Sequence, residues 1–154
     1  MTKYQQILAK YYHLLALDNN EDQEKKWLVA QDYLAQNLST VHFHILSYLL
    51  ATPHATATEI RAHLGVLRGT LSKRLTTLIK KGLVVANQDQ ADARSKHYTL
   101  TPAGIQLAQL HNQLLQKKDQ QLGHVLDRFT NEELSTIDHF LSDLVTAEEN
   151  INYH

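Results

Sequence analysis

The sequence predicts a mainly α-helical chain that contains one short pair of β-strands. Apolar residues recur at helical spacing through most of the 154 residues, whereas a strand-like pattern is confined to residues 83–100. This length predicts one domain, or one domain with extensions. No apolar run approaches the ~20 residues of a membrane span, so we expect no membrane partner. The N-terminus lacks a signal-peptide core and the chain has no cysteine, which favours a cytoplasmic location without disulfides.

The N-terminal third predicts three helices. The first is interrupted at residues 18–20, and the second carries Trp27 and Leu28. Ser39 or Thr40 is placed to cap the third helix, which ends at residues 52–54. A short fourth helix follows, for which we predict Thr58 as the N-cap and Gly65 as a left-handed C-cap.

A fifth helix over residues 67–81 has two unlike faces. Leucines and Ile79 form one stripe. At 100° per residue the opposite face is small, hydroxylated and cationic, with the members Gly69, Thr70, Lys73, Thr76 and Thr77. Such a face suits a helix that enters a DNA groove. Gly69 costs the helix about 1 kcal/mol relative to Ala, and it serves either close backbone approach to DNA or a loosened first turn.

Two strands and two long helices complete the chain. Gly82 ends the fifth helix, a strand begins at Leu83, and residues 95–100 return as its partner after a long polar turn. Pro102 starts a helix over about 102–127. The capping box Thr130–Glu133 opens the last helix. Its narrow apolar seam predicts contact with another helix, from a second subunit or from the chain's own N-terminus.

The charge distribution points to nucleic acid. Residues 61–97 hold eight basic and two acidic residues, a net charge of +6, and the rest of the chain carries −7. A basic block in an acidic chain is typical of a DNA-contacting surface, although a solvated basic face has the same composition. The segment between Arg61 and Lys81 contains no acid, which argues against a protein-binding module. The sequence shows no phosphate-binding glycine loop, cysteine nucleophile or Ser-His-acid spacing, so we expect no enzyme.

Three segments together resemble the MarR family of winged helix-turn-helix regulators. These are residues 64–84, the wing residues Asp92-Ala-Arg94, and the segment Leu100-Thr-Pro-Ala-Gly104. The resemblance runs over about residues 38–145. It implies dimerisation helices in 1–37 and 102–154 around a DNA-binding domain in 38–101. The chain differs from the family at Leu67, because a Ser, Thr or Asp usually caps the recognition helix, which is the fifth helix here.

The resemblance implies a homodimer that binds a pseudo-palindromic double-stranded DNA operator, most simply as a ligand-responsive repressor. Each protomer would place one recognition helix in the major groove, while Asp92 orients Arg94 at the minor groove. Arg68 and Arg74 would contact flanking phosphates. The full set of implied or predicted DNA contacts is Arg68, Gly69, Thr70, Ser72, Lys73, Arg74, Thr77, Asp92, Arg94 and Lys96.

The sequence leaves open which of two kinds of ligand the regulator responds to. The resemblance suggests a small aromatic or phenolic effector, with the candidate pocket residues Tyr11, Tyr12, His13, Trp27 and His42; ordinary core packing explains the same residues. The alternative is a zinc-responsive repressor like a subset of this family from streptococci and lactococci. By position Asp32, His44 and His111 match three ligands of that subset, but Leu115 and Lys26 occupy two further ligand positions. Zinc binding usually takes four ligands, so we expect no cofactor unless this reduced site binds zinc.

Overall fold

This computed structural model describes residues 1–17, 21–89, 91–92 and 95–151 of the chain. These residues contain seven α-helices and three short β-strands. The helices are α1 (Lys3–Leu17), α2 (Glu21–Gln31), α3 (Thr40–Ala51), α4 (Ala57–Leu64), α5 (Arg68–Lys80), α6 (Pro102–Leu126) and α7 (Asn131–Glu149), with a 3-10 turn at Tyr33–Ala35. The predicted fold class, mainly α with a β-wing, is confirmed. The helix interruption predicted at 18–20 lies outside the described residues.

The wing is an antiparallel sheet in the order β1-β3-β2, with β1 at Ala55–Thr56, β2 at Val84–Gln88 and β3 at Lys96–Leu100. Register runs from Val84 opposite Leu100 to Gln88 opposite Lys96. The two residues of β1 pair with the other edge of β3. The sequence predicted β2 and β3 but not β1.

Local caps define the helix ends, and one predicted cap is wrong. Thr56, not Thr58, is the N-cap of α4: its hydroxyl accepts from the Glu59 N–H at 3.2 Å, and the Glu59 carboxylate accepts from the Thr56 N–H. Thr58 is the second residue of that helix, two positions too late to cap it. Gly65 has φ of 66°, as a left-handed C-cap requires. Thr130 and Glu133 form the predicted capping box of α7.

The core lies in residues 1–114, one of two compact units. Fully buried leucines and isoleucines from α3, α4, α5 and α6 fill it, among them Leu46, Ile60, Leu78 and Leu107. Thr101 joins the wing to α6: its N–H donates to the Leu83 carbonyl at 3.0 Å and its hydroxyl donates to the Gly82 carbonyl at 2.6 Å.

Residues 115–154 form the second unit. Helix α7 has no buried residue, and Phe140, Leu141 and Val145 are about half exposed or more. In the first unit, α1 is similar, since Tyr4, Leu14 and Leu17 are all at least half exposed. Across the described ranges, no helix is both long and apolar enough to cross a membrane.

Candidate nucleic-acid interface

Helix α5 presents its predicted outer face to solvent. Leu71, Leu75 and Leu78 are buried on the inner side. Arg68, Gly69, Ser72 and Lys73 are exposed, and Thr70 and Thr77 are partly exposed. The hydroxyls of Thr76 and Thr77 donate to carbonyls one turn earlier, those of Ser72 and Lys73. Their oxygens therefore remain available as acceptors for groups outside the helix.

The first turn of α5 lacks a side-chain cap. Leu67 occupies the N-cap position, makes no capping hydrogen bond and is 77% exposed. Two residues later, a Cβ added to Gly69 would meet no atom within 4 Å. Packing within the protomer thus does not require glycine at 69. Close approach of another molecule to this backbone is one reason to keep it.

The wing carries the remaining predicted contacts. Lys96 is exposed at the start of β3, and Asp92 is exposed with its carbonyl accepting from the Ser95 N–H at 3.0 Å. Arg94 lies outside the described residues, and so does its predicted pairing with Asp92. At the base of the wing, His97 bridges two segments: its Nδ1 is 3.0 Å from the His54 carbonyl oxygen, and its Nε2 is 3.8 Å from the Asp89 carboxylate.

A cationic groove separates α5 from the wing. Arg61, Arg68 and Lys96 line two overlapping depressions of about 310 and 480 Å³, together with Tyr98 and Ala57. Arg61 was not among the predicted contacts. Its position was readable from the sequence, since the acid-free segment begins with this residue. The groove brings cations from α4, α5 and β3 to one surface, which suits a phosphate backbone.

Arg74 differs from the other predicted contacts because its Nε is buried. Its guanidinium acts on His42 of α3. Burial, followed by the charges of Arg74 and Lys81, lowers the pKa of His42 to about 4. The ring is therefore neutral near pH 7. Its Nδ1 lies 2.8 Å from the Ser39 backbone nitrogen, so His42 takes the third-residue role in a capping box.

The five predicted effector-pocket residues are spread over three helices. Tyr12 and His13 are exposed on α1, Tyr11 and Trp27 are half-buried, and His42 is buried. The rings of Tyr11 and Tyr12 lie 5.6 Å apart. None of the five lines either groove or the small cavity of about 40 Å³ beside His111.

The three predicted metal ligands do not form one cluster. The Asp32 carboxylate caps the 3-10 turn by accepting from the Leu34 N–H at 3.0 Å. His44 and His111 are neighbours, with ring centroids 6.4 Å apart. Within the described part of the chain, no three His, Cys, Asp or Glu side chains are grouped to hold a metal ion. Burial and then His44 lower the pKa of His111, while Glu24 opposes that shift.

Comparisons with known proteins agree with this geometry. A model described as MarR family matches residues 36–95. The transcriptional regulator AdcR of Streptococcus pneumoniae is 30% identical over 108 residues, which are 70% of this chain and 73% of AdcR. The solved adhesin competence repressor AdcR of Streptococcus pyogenes is 25% identical, with TM-score 0.65, and the match covers 90% of this chain and 98% of that one. FabT of Streptococcus pneumoniae, solved in complex with DNA, has TM-score 0.71 at 22% identity, with 97% and 100% covered; this similarity concerns the fold.

Proposed function

This chain belongs to the MarR family of DNA-binding transcriptional regulators, and we propose that it is a ligand-responsive repressor that binds a pseudo-palindromic operator as a homodimer. The observation that carries the DNA-binding part is the exposed, acid-free face of α5 beside the groove lined by Arg61, Arg68 and Lys96. A relative whose name includes the word repressor supports the direction of control.

The proposed dimer is supported by apolar side chains that stay exposed in one protomer. They lie on α1 and on α7, the two helices without buried residues. A second copy that covers these faces would stabilise the dimer by about 25 cal/mol for each Å² of apolar surface removed from water. A two-fold dimer would set the two recognition helices about one turn of DNA apart, which fixes the half-site spacing near 10 base pairs.

Salt-dependent mobility shifts on the DNA upstream of the gene test DNA binding. Each lost phosphate contact should reduce the slope of log affinity against log salt by about 1. We expect this reduction for Arg68→Gln and Lys96→Gln, and none for Lys10→Gln on α1, which removes an equal charge outside the groove. Arg94→Ala should weaken operator binding and leave the dimer intact by sedimentation. Absence of any salt slope in the wild-type protein would refute the DNA-binding role.

We propose a small aromatic or phenolic acid as the effector. Support comes from half-buried aromatic residues on α1 and α2, namely Tyr11 and Trp27. Trp27 is the single tryptophan, so its fluorescence reports directly on binding. A panel of phenolic acids should quench this emission and release operator DNA at the same concentrations. Release without quenching would place the effector elsewhere.

Zinc response is the second candidate, favoured by the surroundings of His111. The Ser47 hydroxyl donates to Asn112 Oδ1 at 2.9 Å and lies 3.1 Å from His111 Nδ1. Because that hydroxyl proton is used, His111 Nδ1–H donates to Ser47, and the Nε2 lone pair is left for another partner. His111 also shares its cavity with Glu24. Such outer-shell fixing of a tautomer is common for metal-binding histidines.

The donors described do not complete a zinc site, because His44, His111 and Glu24 are not grouped as three ligands. Zinc would therefore need further ligands. Elemental analysis after zinc dialysis tests the idea, with His111→Ala against His139→Ala, an exposed histidine of α7. A zinc content near one ion per chain in the wild-type protein and in His139→Ala, but lost in His111→Ala, would support this candidate. Content near zero in the wild-type protein would eliminate it.

A further inference from the structure

The hydrogen bonds of His42 fix which ring nitrogen carries the proton. The Ser39 backbone N–H can only donate, and it points at His42 Nδ1 from 2.8 Å. Nδ1 therefore holds the lone pair and the neutral ring is protonated at Nε2. His42 is only 2% exposed, and its Nε2 has no hydrogen-bond partner among the described residues. A buried N–H donor without an acceptor costs about 1–3 kcal/mol.

A second orphaned donor belongs to Arg74. Its Nε–H is buried and lacks a partner within the described ranges, and guanidinium nitrogens do not accept hydrogen bonds. Helix α3 packs against α5, and the charge of Arg74 acts on the His42 ring. Each of these two packed helices thus contributes one buried N–H donor that has no acceptor among the described residues, and the two side chains are near enough for the Arg74 charge to act on His42.

The potential in this region is positive. Lys81 also acts on His42, and its ammonium donates to the carbonyls of Leu34 and Gln36. His42 is the third residue of α3, where the helix dipole adds partial positive charge. The causes that lower the pKa of the ring are burial and the two positive charges of Arg74 and Lys81. An acceptor that is also an anion therefore satisfies both the hydrogen bonds and the charge.

We propose that His42 Nε2–H and Arg74 Nε–H form a buried site for one monovalent anion of chloride size. The anion would join the N-terminal end of α3 to the recognition helix by one hydrogen bond to each. Arg74 then serves as an internal link rather than as a phosphate contact. A water molecule is the competing occupant, since it accepts the same bonds but brings no charge.

Crystals of the full chain grown in sodium bromide test the occupant directly. An anomalous bromide peak between His42 Nε2 and Arg74 Nε supports the site. Water there, or bromide on surface lysines as an adventitious ion only, overturns it. The probe is bromide because its anomalous scattering distinguishes it from water.

Thermal unfolding at constant ionic strength provides the solution test. Replacing sodium gluconate by 300 mM sodium chloride should raise Tm by about 4 °C, because a ligand that binds only the folded state stabilises it. Arg74→Gln should abolish the difference. Lys73→Gln removes the same charge from the neighbouring exposed position, and this variant should keep the Tm difference between the two salts. If Arg74→Gln does not fold, the wild-type anion series and the bromide peak still decide; equal Tm in both salts refutes the proposal.

Discussion

Gly104, in the first turn of α6, offers the sharpest test of how the wing is held. A Cβ at this position would overlap the Leu83 carbonyl oxygen, reach its carbon at 3.0 Å and approach Leu100 Cδ2 at 3.3 Å. The Leu83 oxygen cannot retreat cheaply, because it accepts the Thr101 N–H at 3.0 Å and adjoins the start of β2. Gly104→Ala therefore forces backbone to move at the root of the wing.

The expected magnitude follows from two opposing contributions. Overpacking a tight site costs about 1–3 kcal/mol, and contact with backbone, which cannot change rotamer, places this case at or beyond the upper end. Replacing a helical glycine by alanine returns about 1 kcal/mol. We expect a net loss of about 2 kcal/mol in the free energy of unfolding. Because the wing moves, operator affinity should also fall.

Gly123 in the same helix is the matched control. A Cβ there would meet no atom within 4 Å, so Gly123→Ala should gain about 1 kcal/mol from helix propensity alone. Urea unfolding followed by circular dichroism, at one protein concentration because a dimer's stability depends on it, measures both variants. Opposite signs are expected. If Gly104→Ala is as stable as wild type, the close approach to Leu83 is wrong.

Three further predictions concern α3 and α5. The unfolded chain protonates His42 at about pH 6.5 while the folded chain does so only at about pH 4, so stability is complete above pH 6.5 and should fall by about 3 kcal/mol as the pH drops to 4. Urea titrations in a chelator should show part of this loss disappear in His42→Gln, which keeps the capping box. Leu67→Ser supplies the missing cap of α5 and should add about 1 kcal/mol to the unfolding free energy, and an unchanged urea midpoint would contradict this. Gly69→Ala should stabilise the free protein by up to about 1 kcal/mol yet weaken operator binding in a mobility shift; unchanged affinity would remove the close-approach explanation.

Local signals carried most of the fold prediction. The capping box at Thr130, the left-handed Gly65 and Pro102 at the first helical position are each decided by a few neighbouring residues. The Thr58 error has the same local origin. Thr56 and Glu59 already form the spacing of a capping box, and this spacing separates the correct threonine from its neighbour.

Long-range contacts were the part that the sequence did not reveal. The strand β1 is only two residues long and exists because Ala55 and Thr56 pair with β3, about 40 positions away. Arg74 follows the exposed Lys73 in a basic run, and the sequence assigned both to DNA, Lys73 to the groove and Arg74 to a flanking phosphate. Only packing of α5 on α3 separates them, because it buries the Arg74 Nε.

Helix α3 contacts both the recognition helix α5 and the candidate zinc ligand His111. His42 faces α5 through Arg74, whereas Ser47 contacts His111 and Asn112 of α6. Residues five apart in a helix point about 140° apart, so these contacts occupy different sides of the same rigid element. A ligand that alters the α6 side of α3 can reach the recognition helix by moving or reorienting α3, whose buried residues leave few alternative positions. We therefore expect binding of a ligand at His111 to be coupled to α5 through the placement of α3.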